Sequence, residues 1–592
     1  MKKNSQKPLS GWNSNNTTAL SDSKFFIVLS SFLPEILVVY TAICIIFILL
    51  STVVPVTDFF GSGNFQSFRD WLRHAGTLLL LVDLALNLYC KSRGGSMICF
   101  KNSPGLSISK QEQERNRNGI KSGNRFLLYG ICVSALIASF IHSKYGFAAN
   151  ADSILWMLIH AGLFYSAFLY SSKKFLRKTV KITYGIAAVL WCSGSILSLI
   201  QYSLLIGRKG PNYASSLLLS GRGFYNHRLY GVFTYPETGS VPGVMLILIG
   251  LYFFLTSHKR GVRIFLTVVN IPIFAYIVAS ETRNASFPFY LCVFTGVFLL
   301  ARRLYCIQHG TKAKGSLRHS LLYSVIALVL FHLAFVLTQT AVSQLPIRFA
   351  PDTQAQTTPV LSTSERADDI TESLSPDTQA LLSIDLSAPR RLNAAPVSFQ
   401  HKTKAESGQI YETKTISIRE NTSSESDSVQ IHRTDLNENL MNDRNKIWME
   451  YLSLYKEIGL FGLSPGNYSK YIQEHHSEMF ICTKIKTYLP AAYKRGYIYH
   501  PHNGYLMVFV SSGIIGVLFM LAFIFSTVRQ VLVKLWKTEL LSAEFIFSFL
   551  IVMTGAFCAV FDREVFFCLF PATFIFWPAL GILMRESSDA SA

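Results

Sequence analysis

The feature that most constrains this chain is a recurrence of apolar stretches, each long enough to cross a lipid bilayer as a helix. The hydrocarbon core is about 30 Å thick, and a helix needs about 20 mostly apolar residues to span it. Of the 592 residues, 50% are hydrophobic and only 15% are charged. The candidate spans are 31–54, 76–90, 126–141, 153–171, 182–206, 239–256, 263–280, 286–301, 320–338, 504–527, 544–561 and 566–584. They predict an all-α polytopic membrane protein with about twelve transmembrane helices.

The basic residues predict the orientation of these helices. The formal net charge is +20, but Lys and Arg lie in short loops between apolar stretches and form no basic domain, which argues against nucleic-acid binding. With the N-terminus inside, the basic loops share one side of the membrane, as the positive-inside rule requires. Those loops are 91–125, 173–181, 258–263, 302–318 and 529–537. We therefore expect both termini to be cytoplasmic.

The opposite side receives one large extracytoplasmic loop between helices 9 and 10. This divides the chain into a membrane domain at 1–339, the loop at 340–503, and a second membrane domain at 504–592. Residues 340–440 are rich in Ser, Thr, Gln, Asp and Pro, a composition that predicts disorder. Residues 441–503 are predicted to form a helical cover for an active site. Their first helix shows apolar residues at helical spacing behind an Asn442–Asp443 cap, ends at Gly459, and precedes a tight turn at 462–468.

Two histidines, His500 and His502, stand where this loop meets the tenth helix, followed by Asn503. Histidine exchanges protons near neutral pH, so either ring could act as a base, while Asn503 could orient a ring or bind a sugar hydroxyl. The alternative is that they are interfacial polar residues at a helix end. His475 and His476 are expected to be solvated. No metal site is predicted, because the sequence shows no acidic or cysteine partner near these histidines.

A second set of candidates consists of arginines on the predicted outer side. They are Arg222, Arg228, Arg283 and Arg444. Guanidinium groups make bidentate, charge-assisted hydrogen bonds to phosphates, so several converging arginines would suit a pyrophosphate. Anchoring at the membrane interface explains any one of them equally well.

Two carboxylates, Glu35 and Asp83, lie within the first two apolar stretches, where charge is costly. A structural, hydrogen-bonded role is the simpler interpretation. A role in an ion or proton path is the alternative, and it keeps a transporter of polysaccharide or lipid among the candidate functions.

Four blocks in order resemble the O-antigen ligase and polymerase family of bacterial envelope enzymes. They are RLYGVFTYPE at 228–237, SETR at 280–283, DRNKIW at 443–448 leading to GLSPGNY at 462–468, and HNGYL at 502–506 with its GIIG tail at 513–516. The resemblance covers mainly 226–298 and 442–520, and the last two blocks are the specific ones.

The resemblance implies a glycosyltransferase that moves a glycan from undecaprenyl pyrophosphate to a glycan, lipid or protein acceptor, without a metal or other cofactor. It places the chain in the bacterial cytoplasmic (inner) membrane, with its active site on the extracytoplasmic side. His502, Arg283 and Arg444 would be the catalytic residues, and Arg228, His500, Asn503 and Arg222 would bind substrate. A repeat-unit polymerase of the same family, a transporter and a membrane scaffold remain the alternatives.

Overall fold

The computed structural model describes residues 15–92, 123–206, 223–225, 228–310, 316–349, 443–563 and 565–588. Arg222 and the segment 350–442 lie outside these ranges. The predicted disorder of 340–440 therefore concerns residues that the structure does not describe, except for residues 340–349. These ten residues were expected to belong to the loop. They continue the preceding helix as far as Phe349.

The described chain is a bundle of long helices, with shorter helices near one end. The elements up to the first long gap are α1 (Asn15–Ser51), α2 (Val54–Phe60), α3 (Ser62–Ser92), α4 (Gly123–Ile141), α5 (Ala148–Ile159), α6 (Tyr165–Tyr170), α7 (Lys173–Ser203), β1 (Gly223–Tyr225), β2 (Arg228–Gly231), α8 (Pro236–Thr256), α9 (Arg260–Ala279), α10 (Arg283–His309) and α11 (Ser316–Phe349). One turn of π-helix, His160–Phe164, joins α5 to α6.

The remaining helices follow the gap. They are α12 (Arg444–Ser453), α13 (Tyr455–Ile458), α14 (Tyr468–His475), α15 (Phe480–Tyr488), α16 (Pro490–Lys494), α17 (Gly504–Lys537), α18 (Ala543–Phe561) and α19 (Pro571–Ser588). The all-α polytopic architecture is therefore confirmed, apart from the small hairpin of β1 and β2.

Ten helical segments in the described ranges are long and apolar enough to cross a membrane. The predicted spans 76–90 and 566–584 are not among them, although they lie largely in α3 and α19. The predicted span 76–90 contains Asp83, and Arg69, Asp70 and Arg73 precede it in α3. The last apolar stretch begins its helix only at Pro571 and ends it with Arg585 and Glu586.

The bundle has two distinct ends. Helix α17 begins where α18 finishes, and the short helices α12 to α16 lie near that end, which we call the loop end. The opposite end, here the basic end, carries the starts of α7 and α9 and the last turn of α17, with Lys173, Arg260 and Lys537. Lys173, Arg260 and Lys537 belong to three of the predicted basic loops, and the side of the membrane on which the basic loops lie stays a prediction.

The hairpin of β1 and β2 lies at the loop end, beside α7 and α9. Its strands are antiparallel, with Tyr225 opposite Arg228. The Ser198 hydroxyl accepts the Val232 N–H at 3.0 Å, and the Tyr276 hydroxyl donates to the Tyr230 carbonyl at 3.1 Å. These bonds fix the block 228–237 against the bundle immediately before α8 begins.

The short helices share an apolar cluster of their own, which extends onto the first turns of α17. It includes Ile447, Tyr451, Ile472, Met507 and Val510. The predicted first helix is broken at Leu454 into α12 and α13, with Asp443 at the N-cap position as predicted. Asp443 has a left-handed φ of 62° and makes no side-chain capping bond; its carboxylate pairs with Lys484 at 2.9 Å instead.

Helix α17 is interrupted at Gly513, whose φ of 63° and ψ of −163° are not helical. Residues 459–463, which we call the inserted turn, enter this break. The N–H groups of Ile514 and Ile515 donate to the carbonyls of Gly459 and Leu460 at 3.1 and 3.0 Å, and the Leu463 N–H donates to the Val510 carbonyl at 2.8 Å. Backbone groups freed by a break in a membrane helix must find partners inside the protein, and here the inserted turn provides them.

Candidate functional site

His502 occupies the tight turn that leads into α17. Its backbone lies in the left-handed region with φ 46°, a conformation that is costly for a residue other than glycine and that is concentrated at functional sites. The side chain is 27% exposed, and its Nδ1 lies 3.9 Å from Oδ1 of Asp562. That separation is too long for a hydrogen bond but short enough to stabilise a positive charge on the ring.

The two histidines of this turn have different environments. His500 is 1% exposed, and its Nδ1 accepts the backbone N–H of His502 at 3.2 Å. The rings pack with centroids 3.8 Å apart. The buried ring of His500 therefore supports the turn from the protein interior, whereas the ring of His502 is partly exposed at the surface.

Asn503 begins α17 as its N-cap. The side-chain oxygen accepts the Leu506 N–H at 2.9 Å, which is the usual bond of an N-cap. The structure thus gives Asn503 a local role that fixes the direction of the histidine turn relative to the helix.

Asp562, at the end of α18, is the residue that sequence reasoning missed. Its carbonyl accepts the Gly504 N–H at 2.9 Å, which locks the end of α18 to the start of α17. Its carboxylate also accepts the Arg563 N–H at 2.8 Å, and the Arg563 side chain is buried beside it. The expectation that the histidines have no acidic partner is wrong. Asp562 follows His502 by 60 positions in the sequence, and the fold brings the two side chains together. The only available signal was that 562–564 forms a polar turn on the same predicted side.

His500, His502 and Asp562 could together hold a metal ion, since each offers a ligand atom and these atoms lie within 4.8 Å of one another. Zinc–ligand distances of about 2 Å would require the three groups to move closer together. His500 Nδ1 is already used by the turn. The His502 ring and the Asp562 carboxylate instead lie at a distance that suits electrostatic stabilisation of a protonated ring.

Arg283 is brought to the same region through α18. It is the first residue of α10, preceded by the buried N-cap Thr282. The next residue, Asn284, accepts a hydrogen bond on its carbonyl from the Cys558 thiol at 2.9 Å. Because Cys558 lies one turn before Asp562, the start of α10 and the histidine turn border the same end of α18.

Arg444 begins α12 and is half-buried. Within the described ranges its side chain makes no ion pair. Tyr451 of the same helix donates its hydroxyl to the carbonyl of Tyr499, next to the histidine turn. The Lys484 ammonium pairs with the neighbouring Asp443 and lowers the pKa of that carboxyl, so the carboxylate nearest in sequence to Arg444 is already engaged.

Arg228 is the first residue of β2, where only its backbone is described, and Arg222 falls outside the description. The structure therefore places the backbone of Arg228 at the loop end.

The short helices are held on the bundle by polar contacts. Asn150 accepts the Ser464 hydroxyl at 2.8 Å and the Gly466 N–H at 2.6 Å, and Asn467 donates to the His142 carbonyl at 3.0 Å. Lys144 pairs with Glu474 at 3.1 Å, and hydrogen bonds from Tyr145 and Lys144 lower the pKa of the Glu474 carboxyl. The turn 462–468 is thus an attachment point.

His475 and His476 lie away from the histidine turn. His475 is exposed and stacks on Tyr471 with centroids 4.4 Å apart. His476 is 24% exposed and lies 3.8 Å from a Glu457 oxygen. The prediction of solvation is confirmed for His475, whereas His476 is partly covered.

The two carboxylates of the first apolar stretches have different surroundings. Asp83 is buried and pairs with Arg125 at 3.1 Å, while Arg125 also donates to the Ser166 hydroxyl at 3.2 Å. Glu35 is half-buried in α1. A buried ion pair agrees with the structural interpretation of Asp83.

No protein family profile, curated protein or solved structure matches the chain. The resemblance to the O-antigen ligase and polymerase family therefore depends on the four sequence blocks, all of which lie at the loop end described above.

Proposed function

We propose that this chain is a glycosyltransferase of the O-antigen ligase kind. It would move a glycan from undecaprenyl pyrophosphate to an acceptor at the outer face of the bacterial cytoplasmic membrane. The proposal includes the predicted topology of about twelve crossings, counting α3 and α19, with both termini cytoplasmic and the loop end outside. The observation that carries it is the partly exposed ring of His502 beside the Asp562 carboxylate, at the end of α18 that also meets the start of α10.

In this proposal His502 is the general base. Its Nδ1 faces Asp562, and its Nε2 would take the proton of the acceptor hydroxyl. The acceptor oxygen attacks the anomeric carbon, and the bond from that carbon to the pyrophosphate oxygen breaks with its electron pair leaving on the pyrophosphate. Direct displacement inverts the anomeric configuration. Asp562 stabilises the imidazolium that forms.

The arginines stabilise the leaving group. Arg283 at the start of α10 and Arg444 at the start of α12 would bind the pyrophosphate, with Arg228 contributing from the hairpin. Charge develops on the pyrophosphate in the transition state, and fixed cations act most strongly there. The inserted turn and the short helices α12 to α16 would form the cover over this region, while the lipid chain stays in the hydrocarbon.

The proposal is tested by complementation in cells that lack the native gene. We expect His502→Ala to reduce transfer by about 10²–10⁴-fold, the usual contribution of a positioned base. Arg444→Ala should be at least as damaging. The matched controls are His475→Ala and Arg495→Ala, since both side chains are exposed on the same loop domain. All variants are compared at equal protein level.

The location of the donor separates the competing functions. Accumulation of lipid-linked glycan at the outer face of His502→Ala cells supports transfer chemistry. Accumulation of lipid-linked glycan at the inner face would indicate a transporter instead. Full activity of His502→Ala and of Arg444→Ala would contradict the proposal. The product distinguishes the two enzymes of the family: a ligase attaches a finished glycan to a different acceptor, whereas a repeat-unit polymerase lengthens the glycan on its lipid.

A further inference from the structure

A second cleft lies at the basic end of the bundle, between α7, α8, α18 and α19. Its empty volume, which includes space open to the outside, is about 630 Å³. Most of its walls are apolar, and they are formed by Leu176, Val180, Phe253, Phe547, Ile551 and Ile582. Leu176, Phe253, Phe547 and Ile551 are buried, so the inner wall of the cleft belongs to the packed interior of the bundle.

The rim of this cleft is charged, with an excess of cations. Lys173 and Arg177 have side chains that are 56% and 65% exposed, and the less exposed Arg585 lies opposite them. Lys173 pairs with Glu586 at 2.9 Å, and Arg177 pairs with Glu544. Three cations against two carboxylates leave one net positive charge at the rim. The same helix adds Lys174, Lys178 and Lys181 nearby.

The cleft is separate from the site at the loop end. Glu544 lies in the first turn of α18 and Asp562 follows its last residue. At 1.5 Å per residue, the two positions are about 27 Å apart along the helix axis. One ligand headgroup cannot contact both.

The combination of an apolar cleft and a cationic rim restricts the ligand. A soluble anion would leave the apolar walls unfilled, and an uncharged hydrocarbon would not use the cations. Basic pockets between transmembrane helices bind the headgroups of anionic lipids, and each Lys or Arg contributes to that attraction. A single acyl chain is long and narrow enough to lie between the packed helices.

We propose that this cleft binds one anionic phospholipid, with its phosphate between Lys173 and Arg177 and an acyl chain between α7 and α18. The bound lipid would connect α7 to α18 at the basic end. This inference is independent of the glycosyltransferase proposal, and its test does not use transfer activity.

The test counts lipids retained by the purified full chain. The chain is reconstituted in mixtures of phosphatidylglycerol and phosphatidylcholine with identical acyl chains, and retained lipids are counted by native mass spectrometry. We expect one phosphatidylglycerol to be retained in preference to phosphatidylcholine. Lys173→Gln with Arg177→Gln should weaken that preference by roughly tenfold or more, from the usual contribution of two cations near a lipid phosphate.

The matched control is Lys259→Gln with Arg260→Gln, which removes the same charge from the same end of the bundle but outside the cleft. It should retain the lipid as the unaltered chain does. A second variant, Val180→Trp, fills the cleft without changing any charge and should also lose the lipid, so the test survives poor folding of the charge variant. Equal retention by cleft and control variants would overturn the proposal, as would displacement of phosphatidylglycerol by a polyprenyl phosphate.

Discussion

At the scale of single residues, burial separates two histidines that the sequence presents as equivalents. His500 is almost completely buried and holds the turn through its Nδ1, while His502 keeps a surface and a carboxylate neighbour. The spacing of the two histidines in the sequence cannot predict this difference in exposure. It depends on the packing of the end of α18 against the start of α17. Asp562 is recognisable as a site residue only in the folded chain.

Asp562→Asn tests the role of that neighbour. The amide keeps an acceptor for the Arg563 N–H, and the backbone bond to Gly504 is unaffected, so the fold should persist. Loss of the negative charge beside His502 should lower the transfer rate by about 10-fold to 100-fold, since the imidazolium loses its partner. Initial rates in membranes measure this. The control is Asp443→Asn, which removes a carboxylate paired on the surface; equal rates in the two variants would remove Asp562 from the mechanism.

At the scale of elements, the break in α17 joins two motifs that the sequence shows separately. The turn at 462–468 and the Gly513 to Gly516 motif were both recognised, and the first was expected to be a tight turn. That the two segments meet was not predicted, because their contact is made by main-chain hydrogen bonds that leave no mark in side-chain periodicity. Asp443 occupies the N-cap position that the sequence indicates, but its carboxylate was not expected to pair with Lys484, which lies 41 residues away.

Gly513→Ala tests this junction. A Cβ at Gly513 would lie 2.4 Å from the backbone of Leu460, in a conformation that only glycine adopts readily. We expect a loss of about 1–3 kcal/mol or more of stability and a lower midpoint of thermal unfolding in detergent.

Gly185→Ala is the control for that experiment, because no atom lies within 4 Å of the added methyl group on α7. It should be neutral or stabilising by up to about 1 kcal/mol, the advantage of Ala over Gly in a helix. Matching midpoints for the two variants would mean that the inserted turn is not tightly held.

At the scale of the whole molecule, the helical class was predictable, because it follows from the recurrence of long apolar stretches. The number of membrane-spanning helices was harder to predict from the sequence. Helix α3 combines an apolar half with charged residues that are satisfied only by partners on other helices, such as Arg73 with Asp152 and Asp83 with Arg125. A linear hydrophobicity pattern cannot identify such partners.

Asp83→Asn separates a structural role from transport. Arg125, with a side chain 4% exposed, would be left buried without its counter-charge, and breaking such a pair costs about 3–5 kcal/mol. We expect lower thermal stability with unchanged transfer per folded molecule. Asp83→Asn combined with Arg125→Gln should recover part of the loss. A stable single variant that has lost activity would instead indicate an ion path through Asp83.

The inserted turn also has consequences for how the chain folds during synthesis and for the design of chimeric proteins. Residues 459–463 leave the ribosome before α17, yet α17 completes its hydrogen bonds only when they occupy its break. We therefore expect membrane insertion of this helix and folding of the preceding loop to be coupled. In a chimera with a related protein, the crossover points must fall before residue 443 and after residue 516, so that the loop and the helix it completes are inherited together.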